Sequence, residues 1–436
     1  MSSTDPSADS FLNFQQWLEW LEQRNPVHIE LGLDRVRAVW QVLRTQNDIQ
    51  VPTLITVAGT NGKGSSCALL DAILQAAGYR VGRYTSPHLS QFNERILVNG
   101  RPVDDATLCE GMRQIHACAG SERLTYFEWA TLLAFWSFFQ EACTVWVLEV
   151  GMGGRLDAVN VLDADLALIT PIGLDHQAFL GETREAIGRE KAGILRQNQI
   201  AVYADPAPVA SIVAMAEELG CQLLVRQRDF TVAPETEGWQ LRQQEHITHW
   251  PNPALFGKSQ IDNAAGVVTL LLNASSRLTV APEAIAQGLR AVQLPGRFER
   301  CVQAGRHILL DVAHNEESAQ ALRQNLDALF AIEPPKGKIR AVFSALADKP
   351  ITAMLRILAH QFDDWYIAPL EGARAANLSQ LQQAGTVLRT SDIHYEDTIV
   401  NAYNRAFNES RAGDYLVIFG SFHTVGALRA LACEHR

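Results

Sequence analysis

The sequence has no excess of basic charge, no paired-cysteine motif and no long apolar run, and each absence closes off a class of function. Asp and Glu outnumber Lys and Arg by 48 to 37, a formal charge of −11. A general nucleic-acid binder needs clustered cations for backbone phosphates and is therefore not expected. An anionic substrate would have to be met by local basic residues that overcome this field. The seven cysteines (67, 109, 118, 143, 221, 301 and 433) are scattered and never form C-x-x-C. They encode neither a disulfide framework nor a thiolate zinc site and read as reduced, buried thiols. The longest apolar stretch, Ala130 to Phe139, contains Thr131 and Ser137 and stops at Gln140 and Glu141, too short for a membrane segment. Met1 to Ser10 is polar, without the basic start, apolar core or cleavage site of a secretory signal, and is expected to be a loose tail. A cytoplasmic protein with no membrane partner is the expectation, and a monomer the default. Neither an internal repeat nor a low-complexity tract is present.

What the sequence does contain is ordinary globular composition, 47% hydrophobic and 19% charged, over 436 residues. That length exceeds a single core, so two domains are expected. Phe11, Phe14, Trp17, Leu18 and Leu21 recur at helical spacing and read as a core-facing stripe. Leu54 to Val57 is a short β-branched run that stops at Gly59-Thr60-Asn61-Gly62-Lys63-Gly64, and Ser65 to Ala77 then reads as a helix. Strand, glycine loop and helix in that order make a phosphate cradle: glycines let backbone N–H groups approach oxygen, the helix start adds positive potential, and Lys63 reaches outer phosphates. ATP is the natural guest. The loop departs from the generic G-x-x-x-x-G-K-[ST] pattern at Val57 and Gly64, and a plain glycine turn is the competing reading. The absence of G-x-G-x-x-G disfavours a dinucleotide fold.

The pattern recurs. Thr144 to Leu148 is a buried-type strand leading into Glu149 and the cluster Gly151-Met152-Gly153-Gly154, and Leu166 to Thr170 leads into Asp175-His176. Glycines, acids and a histidine at the ends of parallel strands describe an α/β nucleotide fold. Glu149 at a strand end must bind a partner or reach solvent, since an unpaired buried carboxylate is costly. Magnesium on nucleotide phosphates is one such partner, with Ser86 as a possible hydroxyl ligand. His176, as a lone histidine, and Lys191, near a helix end, read from residue chemistry alone as a structural histidine and a solvated charge. Leu223 to Trp250 suggests small strands or a hairpin appended to the sheet, and helices are expected from near Asp262–Asn263 and over Ala281 to Leu289. Leu294-Pro295-Gly296-Arg297 punctuates the pattern, and strand–helix alternation then resumes through Ile308–Val312, Ala341–Phe343, Trp365–Ala368 and Tyr415–Phe419. The expected domains are therefore 1–296 and 297–436.

The segments Gly59 to Ser65, Thr85-Ser86-Pro87-His88-Leu89, Leu148 to Ala158 and Glu190-Lys191-Ala192-Gly193-Ile194 together resemble the folylpolyglutamate synthase and dihydrofolate synthase family, relatives of the Mur ligases. The likeness continues in order through Leu294 to Glu299, Asp311-Val312-Ala313-His314-Asn315 and Gly420 to Val425, so it spans nearly the whole chain. It implies a P-loop ATPase-like parallel sheet followed by a smaller Rossmann-like α/β domain, with the active site between them. By resemblance, Thr60, Asn61, Gly62, Lys63, Gly64, Asn263, Arg297 and Asp311 contact ATP. Ser86 and Glu149 hold one Mg²⁺, His176 a second, and Lys191 is carbamylated to N6-carboxylysine, a modification no sequence can display.

The likeness is greatest to bifunctional bacterial members. Glu30, Leu31 and Gly32, then Thr125, Tyr126, Phe127 and Glu128, then Leu156, Asp157 and Ala158 match segments that hold dihydropteroate there. For Tyr126 and Phe127, packing on the following helix is the competing reading. The implied activity is ATP-dependent ligation of L-glutamate to dihydropteroate and to reduced folates through an acyl phosphate. Lys63, Lys191 and His314 would serve the chemistry by resemblance, although residue chemistry alone favours a structural hydrogen bond for His314 and for His423. Glu316 stands where the family often has proline, and Ser344 to Lys349 is a loose version of the family loop, which leaves the glutamate contacts open. A peptidoglycan-type amino-acid ligase and a P-loop ATPase switch are the alternatives.

Overall fold

The computed structural model describes residues 11–24, 30–120, 122–388 and 392–433. The expected tail Met1 to Ser10 lies outside the described residues. The chain divides into two compact units: one takes Met1–Ser86, Phe92–Pro253 and Asp262–Val292, the other Pro87–Gln91, Ala254–Ile261 and Gln293–Arg436.

The first unit is built on eight strands in the spatial order Arg101–Pro102, Ile96–Val98, Val81–Tyr84, Val145–Glu149, Thr53–Ala58, Leu166–Ile169, Ile200–Tyr203 and Gln222–Val225. All neighbours from Val81–Tyr84 onward are parallel, and only the two edge strands at the other side are antiparallel. The three β-rich runs legible in the sequence are adjacent, with Val57 opposite Glu149 on one side and Leu168 on the other. Parallel direction sends the three loops that follow them off the same edge of the sheet.

On one face, Trp146, Leu148, Ala167 and Ile169 join a core with Phe14, Trp17 and Leu21 of the helix Phe14–Arg24. The amino-terminal aromatic stripe is packing, with Phe11 stacked on Trp17 at 3.9 Å between ring centroids. The helix Tyr126–Gln140 is buried from Glu128 through Phe138, so its apolar run needs no bilayer. Among the described residues no helix is long and apolar enough to cross a membrane. On the helix Pro282–Ala291, a Cβ at Gly288 would lie 2.4 Å from the Ile73 backbone, so glycine lets this helix close onto Lys63–Ala76.

The second unit has six strands in the order Glu299–Gln303, Arg306–Asp311, Tyr415–Phe419, Ile339–Phe343, Asp364–Ile367 and Ile393–Tyr395, antiparallel only at the first pair. Strand side chains alternate between two cores: Leu309, Phe343, Trp365 and Phe419 pack on one face, Ile308, Val342, Tyr366 and Ile418 on the other. Both faces are thus covered, as a parallel sheet requires. The expected two-part α/β architecture is present.

Three expectations need correction. Only Gln222–Val225 extends the large sheet; Phe230–Glu235, Gly238–Gln243 and His246–Trp250 form a separate three-stranded antiparallel sheet. The helix placed near Asp262 begins earlier and runs Lys258–Asn273. The cysteines are not all thiols: Cys301 and Cys433 form a disulfide with Cα atoms 5.6 Å apart, while the other five are free. Strand Glu299–Gln303 and helix Phe422–Cys433 are brought together by the sheet, a pairing that cysteine spacing cannot reveal.

Candidate active site

The loop between Ala58 and Lys63 owes its shape to two close approaches. At Gly59 a Cβ would fall 1.7 Å from Thr170 Oγ1, and at Gly62, with φ +92°, it would fall 2.3 Å from Asn263 Oδ1. Only glycine fits either position without a shift. Thr60 N donates to Pro171 O at 2.9 Å and Thr60 Oγ1 accepts from Gly173 N at 3.0 Å. The loop is therefore tied to the segment after the neighbouring strand. Lys63 opens the helix Lys63–Ala76, which has no side-chain N-cap, so its first turn presents backbone N–H groups as an anion site does. Lys63 Nζ donates to the carbonyls of Gly59 and Thr60, at 3.1 and 3.2 Å.

Glu149 ends its strand at 5% exposure and accepts from the backbone N–H of Ser86 at 3.3 Å. A Cβ at Gly64 would lie 3.6 Å from the same Oε2. Ser86, Glu149 and the phosphate loop are thus neighbours. His176 adopts a left-handed backbone, φ 51°, which a non-glycine residue rarely takes and which concentrates at functional sites. Its N–H donates to Asp175 Oδ1 at 2.9 Å, and its Nε2 lies 3.9 Å from Asp175 Oδ2.

Lys191 is not the solvated charge that residue chemistry alone suggests. On the helix Arg184–Ala192 it is 4% exposed. Burial, reinforced by the nearby Lys63 charge, brings its pKa down to about 7 against the opposing pull of Asp175 and Asp157. A Cβ at Gly154 would meet the Glu190 carbonyl at 2.8 Å and Lys191 Cα at 3.0 Å, so glycine at this position is what lets the helix sit so deep.

The Glu149 carboxylate and the Ser86 hydroxyl are oxygen donors of the kind a hard divalent cation takes, whereas the His176 imidazole is a softer nitrogen donor. Glu149 and His176 do not form a closed ligand cage. Among the described residues, the one group of three or more His, Cys, Asp or Glu residues with ligand atoms within 4.8 Å of one another is Glu299, Cys301 and Cys433, whose sulfurs are bonded to each other. Few protein ligands, with water and phosphate completing the shell, is the usual arrangement for Mg²⁺.

A second group in the first unit unites the three separated segments singled out for the pterin. Arg35 reaches both Glu30 (2.5 Å) and Glu128 (3.2 Å), and Gly32 N donates to Leu156 O at 3.3 Å. Thr125 and Glu128 form a capping box at the start of Tyr126–Gln140, which explains why Glu128 is buried. Phe127 packs over Gly151, where a Cβ would come within 2.6 Å of its ring, and Arg95 lies 5.6 Å above the Tyr126 ring. Leu31 and Leu156 are half-buried and Ala158 is buried. Asp157 accepts from Met152 N at 2.9 Å and Val159 N at 3.1 Å; burial pushes its pKa up to about 6 despite those bonds. Sequence reasoning missed Arg35, which stands far along the chain from Glu128 and has no local signal.

In the second unit, Asp311 ends a strand and accepts from Phe298 N and Ala313 N, each at 2.9 Å. Burial raises its pKa while Arg297 opposes the rise. The Arg297 guanidinium lies 5.0 Å over the Phe422 ring, and His314, 5.8 Å from the same ring, bonds the Val312 carbonyl through Nδ1 at 2.9 Å. Arg297, Asp311 and His314 are therefore one cluster, with Phe422 as an unforeseen member.

Comparison with known proteins gives two family matches: the Mur ligase middle domain over residues 57–270, and the Mur ligase, glutamate ligase domain over 296–422. The dihydrofolate synthase/folylpolyglutamate synthase of Escherichia coli (strain K12) is 38% identical over 410 residues, covering 94% of this chain and 93% of that protein. The structure of E. coli FolC in complex with DHPP and ADP superposes with a TM-score of 0.88 at 38% identity, covering 98% of each chain. A bifunctional folylpolyglutamate synthase/dihydrofolate synthase with Mn, AMPPNP and L-glutamate bound gives a TM-score of 0.87 at 40% identity, over 98% of this chain and 100% of the other.

Proposed function

This chain belongs to the dihydrofolate synthase/folylpolyglutamate synthase family of Mur ligases, and from that premise we propose that it joins L-glutamate to dihydropteroate and to the γ-carboxylate of reduced folates at the expense of ATP. The observation that carries this reading is the convergence of the glycine loop and buried Glu149 where neighbouring parallel strands end, with buried Lys191 close enough for the Lys63 charge to lower its pKa.

A carboxylate is a poor electrophile, so it first takes the γ-phosphoryl group of ATP. Its oxygen bonds phosphorus, the bond to the bridging oxygen breaks, ADP leaves, and an acyl phosphate remains. This step asks for positioning and charge neutralisation more than covalent help. Thr60, Asn61, Gly62, Lys63 and Gly64 are assigned to the phosphates: Thr60 anchors the loop, the residues after it bring backbone donors, Lys63 adds one cation, and Asn263 covers Gly62. In the second unit Arg297 and Asp311 are assigned to the nucleotide. Divalent cations, when bound, neutralise phosphate charge; Ser86 and Glu149 suit one Mg²⁺ and His176 a second.

A largely neutral amine at Lys191 is the form that can take up CO₂ and lose a proton to become N6-carboxylysine, turning the neutral amine into a further anionic donor for the metal site. The neutral amine of glutamate then attacks the acyl carbon and phosphate departs, with His314 among the second unit's candidates to hold glutamate. Glu30, Leu31 and Gly32, Thr125, Tyr126, Phe127 and Glu128, and Leu156, Asp157 and Ala158 are assigned to dihydropteroate, with Arg35 as their link. Domains 1–296 and 297–436, a monomeric state and a cytoplasmic location complete the reading.

The test is ADP release from MgATP and L-glutamate with dihydropteroate, with tetrahydrofolate and with no acceptor, product mass confirming ligation. Turnover with both acceptors is expected. Release without acceptor would indicate an ATPase, and silence throughout would point to another Mur-type substrate.

A further inference from the structure

The segment Pro171–Gly173, which links the strand Leu166–Ile169 to His176, is gripped from two sides. On one side are the hydrogen bonds of Thr60 to Pro171 and Gly173. On the other, Asp205 Oδ2 accepts from Ile172 N and Arg184 Nε donates to Ile172 O, both at 2.8 Å, and Arg184 Nη2 closes the set on Asp205 Oδ2 at 2.8 Å. Asp205 is 2% exposed, and its other oxygen accepts from Ala207 N at 2.8 Å. Arg184 is the first residue of the helix Arg184–Ala192, whose second turn onward leads to Lys191 on the same face. One ion pair therefore joins the backbone behind the phosphate loop, the segment that carries His176 and the helix that carries Lys191.

We propose that the Arg184–Asp205 pair is a positioning clamp for phosphoryl transfer, fixing the phosphate loop, His176 and Lys191 in mutual register. This rests on the ligase reading above. The chemical need is geometric, since a misplacement of about 1 Å at such a centre can cost on the order of 100-fold in rate. The guanidinium fork grips a carbonyl and a carboxylate at once, which a lysine ammonium cannot do with the same geometry. Removing one partner alone leaves a buried carboxylate or an unmatched cation, so the two residues should act as a unit.

The experiment compares full-length wild type with Arg184→Lys, Asp205→Asn and the charge-free double variant Arg184→Gln/Asp205→Asn. It measures kcat, KM for ATP and for the folate acceptor, the Mg²⁺ concentration giving half-maximal rate, and hydrogen exchange of peptides covering Ile172–Gly173. Expected are a kcat loss on the order of 10- to 100-fold, a several-fold rise in the Mg²⁺ requirement, an unchanged KM for the acceptor, and faster exchange at Ile172–Gly173. The double variant should lose no more than the worse single. Wild-type kcat and Mg²⁺ dependence in a folded single variant would overturn the proposal. So would a rate loss that merely tracks the loss of folded protein, with the Mg²⁺ requirement unmoved. Should Asp205→Asn fail to fold, Arg184→Lys carries the same test. A wild type silent with every acceptor would sink the ligase reading instead, and unchanged exchange at Ile172–Gly173 would then still refute the clamp.

Discussion

The buried Lys191 gives the sharpest prediction. Its pKa falls from the ordinary 10.5 to about 7, chiefly through burial. That difference corresponds to about 5 kcal/mol in favour of the neutral amine. At pH 7.5 roughly three quarters of Lys191 is then neutral, against about one part in a thousand for a solvated lysine. A population several hundred times larger is thus available to attack CO₂. The nitrogen lone pair bonds to carbon, one C–O π bond opens to an oxyanion, and the nitrogen proton leaves to water. Protein exposed to ¹³C-labelled bicarbonate should show a carbamate carbonyl resonance that Lys191→Arg lacks. Exhaustive CO₂ removal should lower ligase turnover several-fold, with recovery on adding bicarbonate. Full activity in CO₂-free buffer together with no carbamate signal at saturating bicarbonate would refute the reasoning. Stability of the unmodified protein follows the same shift. The folded pKa lies below the unfolded one, so from about pH 7 to 10.5 the unfolded chain binds more protons and stability rises with pH. Below about pH 7 the cost of burying the charge is present in full.

Further predictions test other parts. Lys63→Ala removes both loop hydrogen bonds of Nζ and the charge proposed to meet the ATP phosphates; ligation should fall by at least about 100-fold while unfolding in denaturant shifts little. A fully active variant would remove ATP from the loop. Asp157→Ala should depress ligation to dihydropteroate more than to a reduced folate, a ratio that loss of folded protein cannot change, and equal losses would count against a separate pterin site. With its pKa near 6, Asp157 is ionised above that pH, so dihydropteroate turnover should decline as pH drops through about 6. The Cys301–Cys433 bond joins residues 132 apart. In the chain-entropy picture its closure stabilises the second unit by up to about 5 kcal/mol. Cys433→Ser or reduction should lower the second unit's unfolding midpoint, and thiol titration of the denatured, unreduced protein should count the five free cysteines. Seven thiols under oxidising conditions would refute the pairing.

Much of the site is legible in the sequence because its parts are local. The phosphate loop needs a strand, glycines and a helix start in unbroken succession, and these are visible between Thr53 and Ala76. Glu149 was recognisable because an acid closing an apolar strand demands a partner, and Ser86 N–H and the phosphate loop lie beside it. The continuous apolar runs marked the strands that became adjacent in the sheet, since a strand buried on both faces carries hydrophobic residues throughout.

What the sequence could not supply is everything that depends on residues distant along the chain. Lys191 looks like any helix-end lysine; its depth follows from glycine at 154 admitting the helix. Arg35, which also holds nearby Glu30, reaches Glu128 across 93 residues, and the Arg184–Asp205 pair grips Ile172 from two different elements. The sequence by itself determined local backbone form, because glycine freedom, strand-forming runs and helix starts act over a few residues. Only the tertiary structure decided burial, and with it the charge state of Lys191 and the pairing of Cys301 with Cys433, because desolvation and proximity depend on which elements pack together in space.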